Sequence, residues 1–149
     1  MIAVDSGVLL RAHWPGLPES ALCSEALEKA IHDEAEPVCS VQNLVEAWNV
    51  VTRPTESRGG LGGSIADGIE MVNNIRGAVL VEDDPPRLVD EWLLLAAQCE
   101  VKGVQVHDCR LAAWMRLHGI ERILTLNPGD FSRYPGIVAM TPSDYVATE

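Results

Sequence analysis

Short apolar runs alternate with longer segments of helical periodicity along the 149 residues of this chain. Apolar runs of strand length lie at residues 2–4, 37–40, 78–81, 120–126 and 137–140. Helical spacing of apolar residues lies between them, at residues 20–33, 41–51, 64–77, 87–100 and 109–118. Strands that alternate with helices predict an α/β fold with a parallel sheet flanked on both sides. With no internal repeat or linker, we expect one domain over residues 1–149.

The same pattern predicts how several segments are oriented. Residues 7–10 are apolar and follow the first strand. Ser40 is a natural N-cap for the helix predicted at residues 41–51. In that helix we expect an inward stripe of Val41, Leu44, Val45, Trp48 and Val51 or Thr52. The corresponding apolar residues of the next two helices are Ile65, Ile69, Met71 or Val72 and Ile75, and then Leu88, Val89, Trp92, Leu93, Leu95, Ala96 and Cys99. Glu46 lies outside the stripe, about 100° per residue away from Val45, and can point along the sheet edge. The glycine-rich residues 55–63 lack the G-x-x-x-x-G-K-[ST] pattern of a phosphate loop and are predicted to be a mobile loop.

Composition narrows the class of protein. Hydrophobic residues make up 47% of the chain and charged residues 22%, as in a globular domain. No apolar stretch approaches the roughly 18–20 residues of a membrane span, and the N-terminus lacks a basic leader region, so we expect a soluble, cytoplasmic protein. The four cysteines are far apart with no C-x-x-C pair, which disfavours structural zinc. We expect Cys23, Cys39 and Cys99 to be buried thiols.

The net charge of −11 argues against broad electrostatic capture of nucleic acid. Two bound Mg²⁺ ions would bring it only to −7, because they add four positive charges to −11. Contacts with a polyanion must therefore rely on metal and on a few local arginines. The same acidity would suit a basic protein partner.

Four acids lie where predicted strands end or helices begin: Asp5, Glu46, Asp108 and Asp130. Taken singly, each has an ordinary explanation, such as a strand end for Asp5 or a helix N-cap for Asp108. Together they can reach the carboxyl-end edge of one parallel sheet, where ligands of such sheets bind. Converging carboxylates raise one another's pKa, and a hard cation such as Mg²⁺ relieves that conflict. The set therefore predicts a metal site suited to hydrolysis at phosphorus.

Four segments, in this order and spacing, resemble the PIN domain and, more narrowly, the VapC-type toxins of bacterial toxin–antitoxin pairs. They are Ile2-Ala3-Val4-Asp5-Ser6, residues 40–46 (SVQNLVE), residues 107–113 (HDCRLAA) with Gly119, and residues 125–131 (TLNPGDF). The resemblance implies a three-layer α/β/α sandwich with a central parallel sheet. It also implies an endoribonuclease dependent on Mg²⁺ or Mn²⁺, often a homodimer and inhibited by a cognate antitoxin.

By position, the resemblance makes Asp5, Glu46, Asp108 and Asp130 the catalytic metal ligands. It places Ser6 and Thr125 near the metal or the scissile phosphate. Asn127 stands where many PIN domains carry a further Asp, which makes metal binding looser there and the role of Asp130 less certain.

Two other functions compete with this one. A PIN-fold module that mainly binds protein, with weak or no nuclease activity, would suit the charge of −11 and the Asn127 departure. A Rossmann-like phosphatase would need Asp-x-Asp after the first strand, but Gly7 occupies the position of the second acid.

Overall fold

A five-stranded parallel sheet forms the centre of the protein in a computed structural model that describes all 149 residues. The strands are β1 (Ile2–Val4), β2 (Pro37–Ser40), β3 (Leu80–Glu82), β4 (Arg122–Leu124) and β5 (Val138–Met140), in the order β3-β2-β1-β4-β5. All neighbouring pairs are parallel. β1 therefore lies in the middle, and its carboxyl end lies between those of β2 and β4.

Seven helices and two short 3-10 helices cover the sheet. The helices are α1 (Ser6–Ala12), α2 (Ser20–His32), α3 (Val41–Thr52), α4 (Ile65–Ala78), α5 (Leu88–Gln98), α6 (Val106–Leu117) and α7 (Pro142–Val146). The 3-10 helices are Gly103–Gln105 and Pro128–Phe131. The predicted α/β/α sandwich with a central parallel sheet is confirmed.

Each face of the sheet has its own hydrophobic core. Ile2 and Val4 pack with α1, α2, α3, α4 and α7 on one face, whereas Ala3 packs with α5 and α6 on the other. Alternate residues of a strand point to opposite faces, so a strand buried on both faces must be apolar throughout. This is why residues 2–4 of the central strand are all apolar.

A helix that the sequence did not predict follows the first strand directly. The apolar residues 7–10 belong to α1, and the Asp5 side chain caps that helix by accepting a hydrogen bond from the Ser6 N–H at 2.8 Å. Val8, Leu9 and Leu10 are all buried against the core. A second short helix, α7, was also missed: Pro142 does not merely close β5 but occupies the first turn of α7 after the cap at Thr141.

The predicted inward stripe of α3 is right at Val51 and wrong at Val41 and Val45. Val51 is buried, whereas Val41 and Val45 are 42% and 63% exposed; the other buried residues of the helix are Asn43 and Ala47. The reason is the capping box, in which the Asn43 side chain accepts hydrogen bonds from the buried N–H and hydroxyl of the preceding cap residue. Asn43 must therefore face inward, and positions four and eight residues later share its face.

Stripes of the next two helices also differ from the prediction. Ile65 and Ile69 of α4 are 63% and 52% exposed, and Val89 and Leu93 of α5 are 58% and 52% exposed. Gly68 takes the inward position of α4, where an added Cβ would come within 2.9 Å of the Trp48 ring. The structure thus leaves apolar side chains on the outer faces of three helices.

The structure also tests the predictions for the cysteines, the glycine-rich segment and membrane-spanning helices. All four cysteines are free thiols; Cys23 and Cys39 are buried as expected, but Cys99 is partly exposed. The glycine-rich residues 55–63 contain no helix or strand, and their end is held against α3 by three backbone hydrogen bonds from Leu61, Gly62 and Gly63. None of the helices has the length and apolar content that a membrane crossing requires.

Candidate active site

Asp5 and Thr125 meet at the carboxyl edge of the sheet because β1 and β4 are neighbours. Val4 pairs with Leu124, so the next residues of the two strands lie side by side. The Asp5 N–H donates to the Leu124 carbonyl at 2.9 Å, and the Thr125 hydroxyl donates to Asp5 Oδ2 at 2.8 Å. The sheet register therefore fixes the position of the Asp5 carboxylate.

Glu46 reaches the same edge from α3. The Ser6 hydroxyl donates to Glu46 Oε2 at 2.6 Å and lies 3.5 Å from Asp5 Oδ1, so it bridges the two carboxylates. The Gln42 amide, one turn earlier in α3, donates to Glu46 Oε1 at 2.8 Å. Both oxygens of Glu46 are thus held in place by hydrogen bonds.

Gln42 also ties α3 to α6, a contact that the sequence did not predict. Its amide donates to the His107 carbonyl at 2.9 Å, and Arg110 donates to its Oε1 at 2.9 Å. Arg110 is in turn paired with Asp84 at 2.6 Å. The only signal in the sequence was the four-residue spacing from Gln42 to Glu46, which places both on one face of a helix.

Asp108 enters the site from the first turn of α6. The helix begins at Val106 rather than after Asp108, so Asp108 is not the helix cap but an acid inside the first turn. Burial, together with the charges of Asp5, Asp130 and Glu46, raises the pKa of Asp108 to about 7, whereas Arg133 lowers it. Each of the three other predicted acids therefore lies within electrostatic reach of Asp108.

The pKa of Asp5 is also set by burial and neighbouring charge, but here hydrogen bonds oppose them. Burial raises its pKa above the ordinary value and the charge of Glu46 adds to this effect, while the hydrogen bonds from Thr125 and Ser6 lower it. Repulsion between carboxylates at this edge is therefore only partly offset by hydroxyl donors.

The remaining predicted residues occupy less central places. Asp130 is exposed in the 3-10 helix Pro128–Phe131, close enough to Asp108 to affect its pKa. Asn127 is also exposed, and its backbone N–H donates to the Thr125 hydroxyl at 3.2 Å. Ser6 and Thr125 act on the two carboxylates directly, through the hydrogen bonds described above.

The donor set fits a hard divalent cation in its chemistry. Four carboxylates from four separate segments provide the oxygen ligands that Mg²⁺ and Mn²⁺ prefer. No three His, Cys, Asp or Glu side chains are already arranged as a coordination shell. Oxygens of Asp5 and Glu46 instead accept hydrogen bonds from Thr125, Ser6 and Gln42. Binding a cation would therefore need these side chains to rotate or water to complete the shell.

The fold is a parallel α/β sandwich, and acidic residues lie together at the carboxyl edge of its sheet. These two features define the class of protein. Residues 2–137 match the model of the PIN domain family. Because this match spans nearly the whole chain, the protein belongs to the PIN domain family.

Relatives and solved structures agree with this assignment. Ribonuclease VapC24 of Mycobacterium tuberculosis is 27% identical over 139 residues, which cover 90% of this chain and 91% of the relative. VapBC2 from Rickettsia felis, solved with a DNA fragment from its promoter, aligns with a TM-score of 0.69 at 14% identity over 95% of this chain and 98% of that one. VapC20 of Mycobacterium tuberculosis, a sarcin–ricin loop cleaving toxin, aligns with a TM-score of 0.59 at 20% identity over 83% of this chain and 87% of that one. These likenesses in structure show a shared fold.

Proposed function

We propose that the protein is a Mg²⁺- or Mn²⁺-dependent endoribonuclease, and that it is the toxin of a type II toxin–antitoxin pair. The observation that carries the proposal is the convergence of Asp5, Glu46, Asp108 and Asp130 at one sheet edge of a PIN domain. The match to Ribonuclease VapC24 over almost the full length of both chains supports RNA as the substrate. One domain, residues 1–149, would carry the activity.

The four carboxylates would hold the cation, directly or through water. A bound divalent cation supplies positive charge to a phosphate oxygen and lowers the pKa of a water molecule. The chain's own contribution is to place the ligands: Thr125 and Ser6 orient Asp5, while Ser6 and Gln42 orient Glu46. Oxygen atoms fixed in advance reduce the reorganisation needed as the scissile bond breaks.

Protein partners are the second part of the proposal. Solved structures similar to this chain include toxin–antitoxin complexes, which supports a cognate antitoxin as a partner. Exposed apolar side chains on α4 and α5 offer surface for an antitoxin and for a second copy of this chain in a homodimer. An RNA substrate and an antitoxin partner would place the protein in the cytoplasm.

The proposal is tested by cleavage of an oligoribonucleotide with purified protein in the presence of MgCl₂ or MnCl₂. We expect wild-type protein to cleave and Asp5→Asn and Asp108→Asn to lose cleavage and, on induced expression, toxicity. Asp90→Asn is the matched control, because Asp90 is also an acid in the first turn of a helix, but one far along the chain in α5. Cleavage retained in either site variant would refute the assigned site.

A PIN-fold module that mainly binds protein, with weak or no nuclease activity, is the second candidate, favoured by the exposed apolar faces. Thermal unfolding with added metal discriminates between the two functions, since a ligand that binds only the folded state raises its stability. No rise in the unfolding temperature at millimolar Mg²⁺ or Mn²⁺, together with no cleavage, would favour the binding module.

A further inference from the structure

Glu46 stands between two surface depressions. One, of about 430 Å³, lies between α1, α3 and the glycine-rich loop; the other, of about 790 Å³, lies between α3 and the start of α6. The two share only Ser6, Glu46 and Val50 in their walls. They are therefore separate spaces on either side of the same carboxylate.

The two depressions are less acidic than the chain as a whole. The protein has 22 acids and 11 lysines and arginines. Yet each depression contains a single acid, and in both it is the shared Glu46. Arg11 lines the smaller depression, while Arg53 and Arg110 line the larger one. Once Glu46 is engaged at the metal site, the side chains left in both depressions carry positive charge.

Among the residues that line the two depressions, Arg11 and Arg53 are the cations without an acidic partner. Neither takes part in any of the four ion pairs, whereas Arg110 is paired with Asp84. Arg11 Nη1 donates to the Gly7 carbonyl at 3.1 Å, and Arg53 Nη1 donates to the Arg58 carbonyl at 2.5 Å. Each guanidinium is thus held by a neutral carbonyl, which leaves its positive charge without a carboxylate partner.

Apolar side chains also line part of each depression. Leu10, Leu17 and Leu61 line the smaller depression, and Val41 and Val45 line the larger. A nucleotide has the complementary chemistry, because its phosphate seeks arginine and its base packs against apolar side chains.

From this arrangement we infer that the RNA strand crosses Glu46, with a nucleotide in each depression. Arg11 contacts a phosphate on one side of the scissile bond, and Arg53 contacts a phosphate on the other side. The inference rests on the proposed function and deepens it by naming the path of the substrate. It also explains how a chain with so many acids binds a polyanion: the attraction is local to two arginines.

Binding of a fluorescent oligoribonucleotide tests this path without relying on cleavage. The assay is fluorescence anisotropy in Mg²⁺ over a range of salt concentrations, in an Asp5→Asn background that blocks hydrolysis. We expect Arg11→Met and Arg53→Met each to reduce the slope of log K against log salt by about 0.7, the value for one phosphate contact with a single strand. The double variant should lose about 1.4 in slope and about five- to tenfold in affinity.

Two further variants separate charge from structure. Arg122→Met is the matched control, since Arg122 begins β4 at the opposite edge of the sheet and should leave the slope unchanged. Arg11→Lys with Arg53→Lys keeps both charges and should restore the slope. A double Met variant that binds like the Arg122 control would overturn the inference, as would a loss of binding that the Lys variant fails to recover. Wild-type protein that binds RNA through these arginines but never cleaves it would overturn the proposed function alone.

Discussion

Replacing Asp108 with Asn should make the protein more stable at alkaline pH while removing its response to metal. Asp108 is partly buried and lies within reach of three other carboxylates, which together raise its pKa to about 7. An ionised Asp108 is therefore a cost to the folded state, and a neutral amide of nearly the same shape removes that cost.

The size of the effect follows from the pKa. A carboxyl whose pKa rises from 3.8 to about 7 destabilises the ionised folded state by about 4 kcal/mol in full, at about 1.36 kcal/mol per pH unit. Water reaches part of the Asp108 carboxylate and screens it, so we expect about 1–2 kcal/mol. For a chain of this size that corresponds to an increase of roughly 3–8 °C in the unfolding temperature.

The raised pKa of Asp108 also determines how the free energy of unfolding changes with pH. The folded protein keeps the Asp108 proton to higher pH than the unfolded chain does, so the folded state binds more protons between about pH 4 and pH 7. The free energy of unfolding of the wild type therefore falls as the pH rises through that window. Asp108→Asn has no such proton; its advantage should be complete at pH 8 and absent near pH 4.

Circular dichroism melts of both proteins at pH 4 and pH 8, with EDTA and then with Mg²⁺, measure these effects. At a Mg²⁺ concentration ten times Kd the wild type should gain about 1.4 kcal/mol, and Asp108→Asn should gain much less. Asp90→Asn controls for the loss of an acid from the first turn of a helix, which alone costs about 0.3–1 kcal/mol. If Asp108→Asn is less stable than wild type at pH 8 in EDTA, the four carboxylates do not repel one another and the reasoning fails.

Two further substitutions test how the site is held. Gln42→Ala removes one of the donors that fix Glu46, and we expect kcat for RNA cleavage to fall about tenfold with KM unchanged, because only the alignment of a ligand is lost. The control Gln98→Ala, on the surface at the end of α5, should leave kcat and KM unchanged. An unchanged kcat in Gln42→Ala would contradict the positioning role. Gly60→Ala should destabilise the protein by at least about 2 kcal/mol in chemical denaturation, since the added Cβ would lie 2.2 Å from a backbone carbonyl oxygen. Gly77→Ala, where the same atom meets open space, should be neutral or slightly stabilising, and equal effects of the two would show that the loop yields freely.

Glu46 was predicted from the sequence as a site residue, but its contacts were not. Its place outside the apolar pattern of α3 marked it as unusual, and the structure brings it to Asp5 through Ser6. Its ties to Gln42 and, through Gln42, to α6 were not predictable, because residues 42 and 107 are distant in sequence and meet only once two helices are packed.

The sequence by itself determined the architecture and the edge at which the acids gather. An apolar run with no polar interruption marks a strand buried on both faces, and alternation with helices forces its neighbours to be parallel. Parallel strands end at one edge, so Asp5 and Thr125 are delivered together without further information.

Tertiary structure alone decided the rotation of the helices and the local charge of the surface. Val41 and Val45 follow the spacing of core residues, yet they are exposed because the buried cap of Asn43 sets the rotation of α3. Arg11 and Arg53 look like ordinary surface cations in the sequence, and only the packing of α1, α3 and the loop places them on opposite sides of Glu46. Helix periodicity is shared by every possible rotation, so the choice among them depends on contacts between residues far apart in the chain.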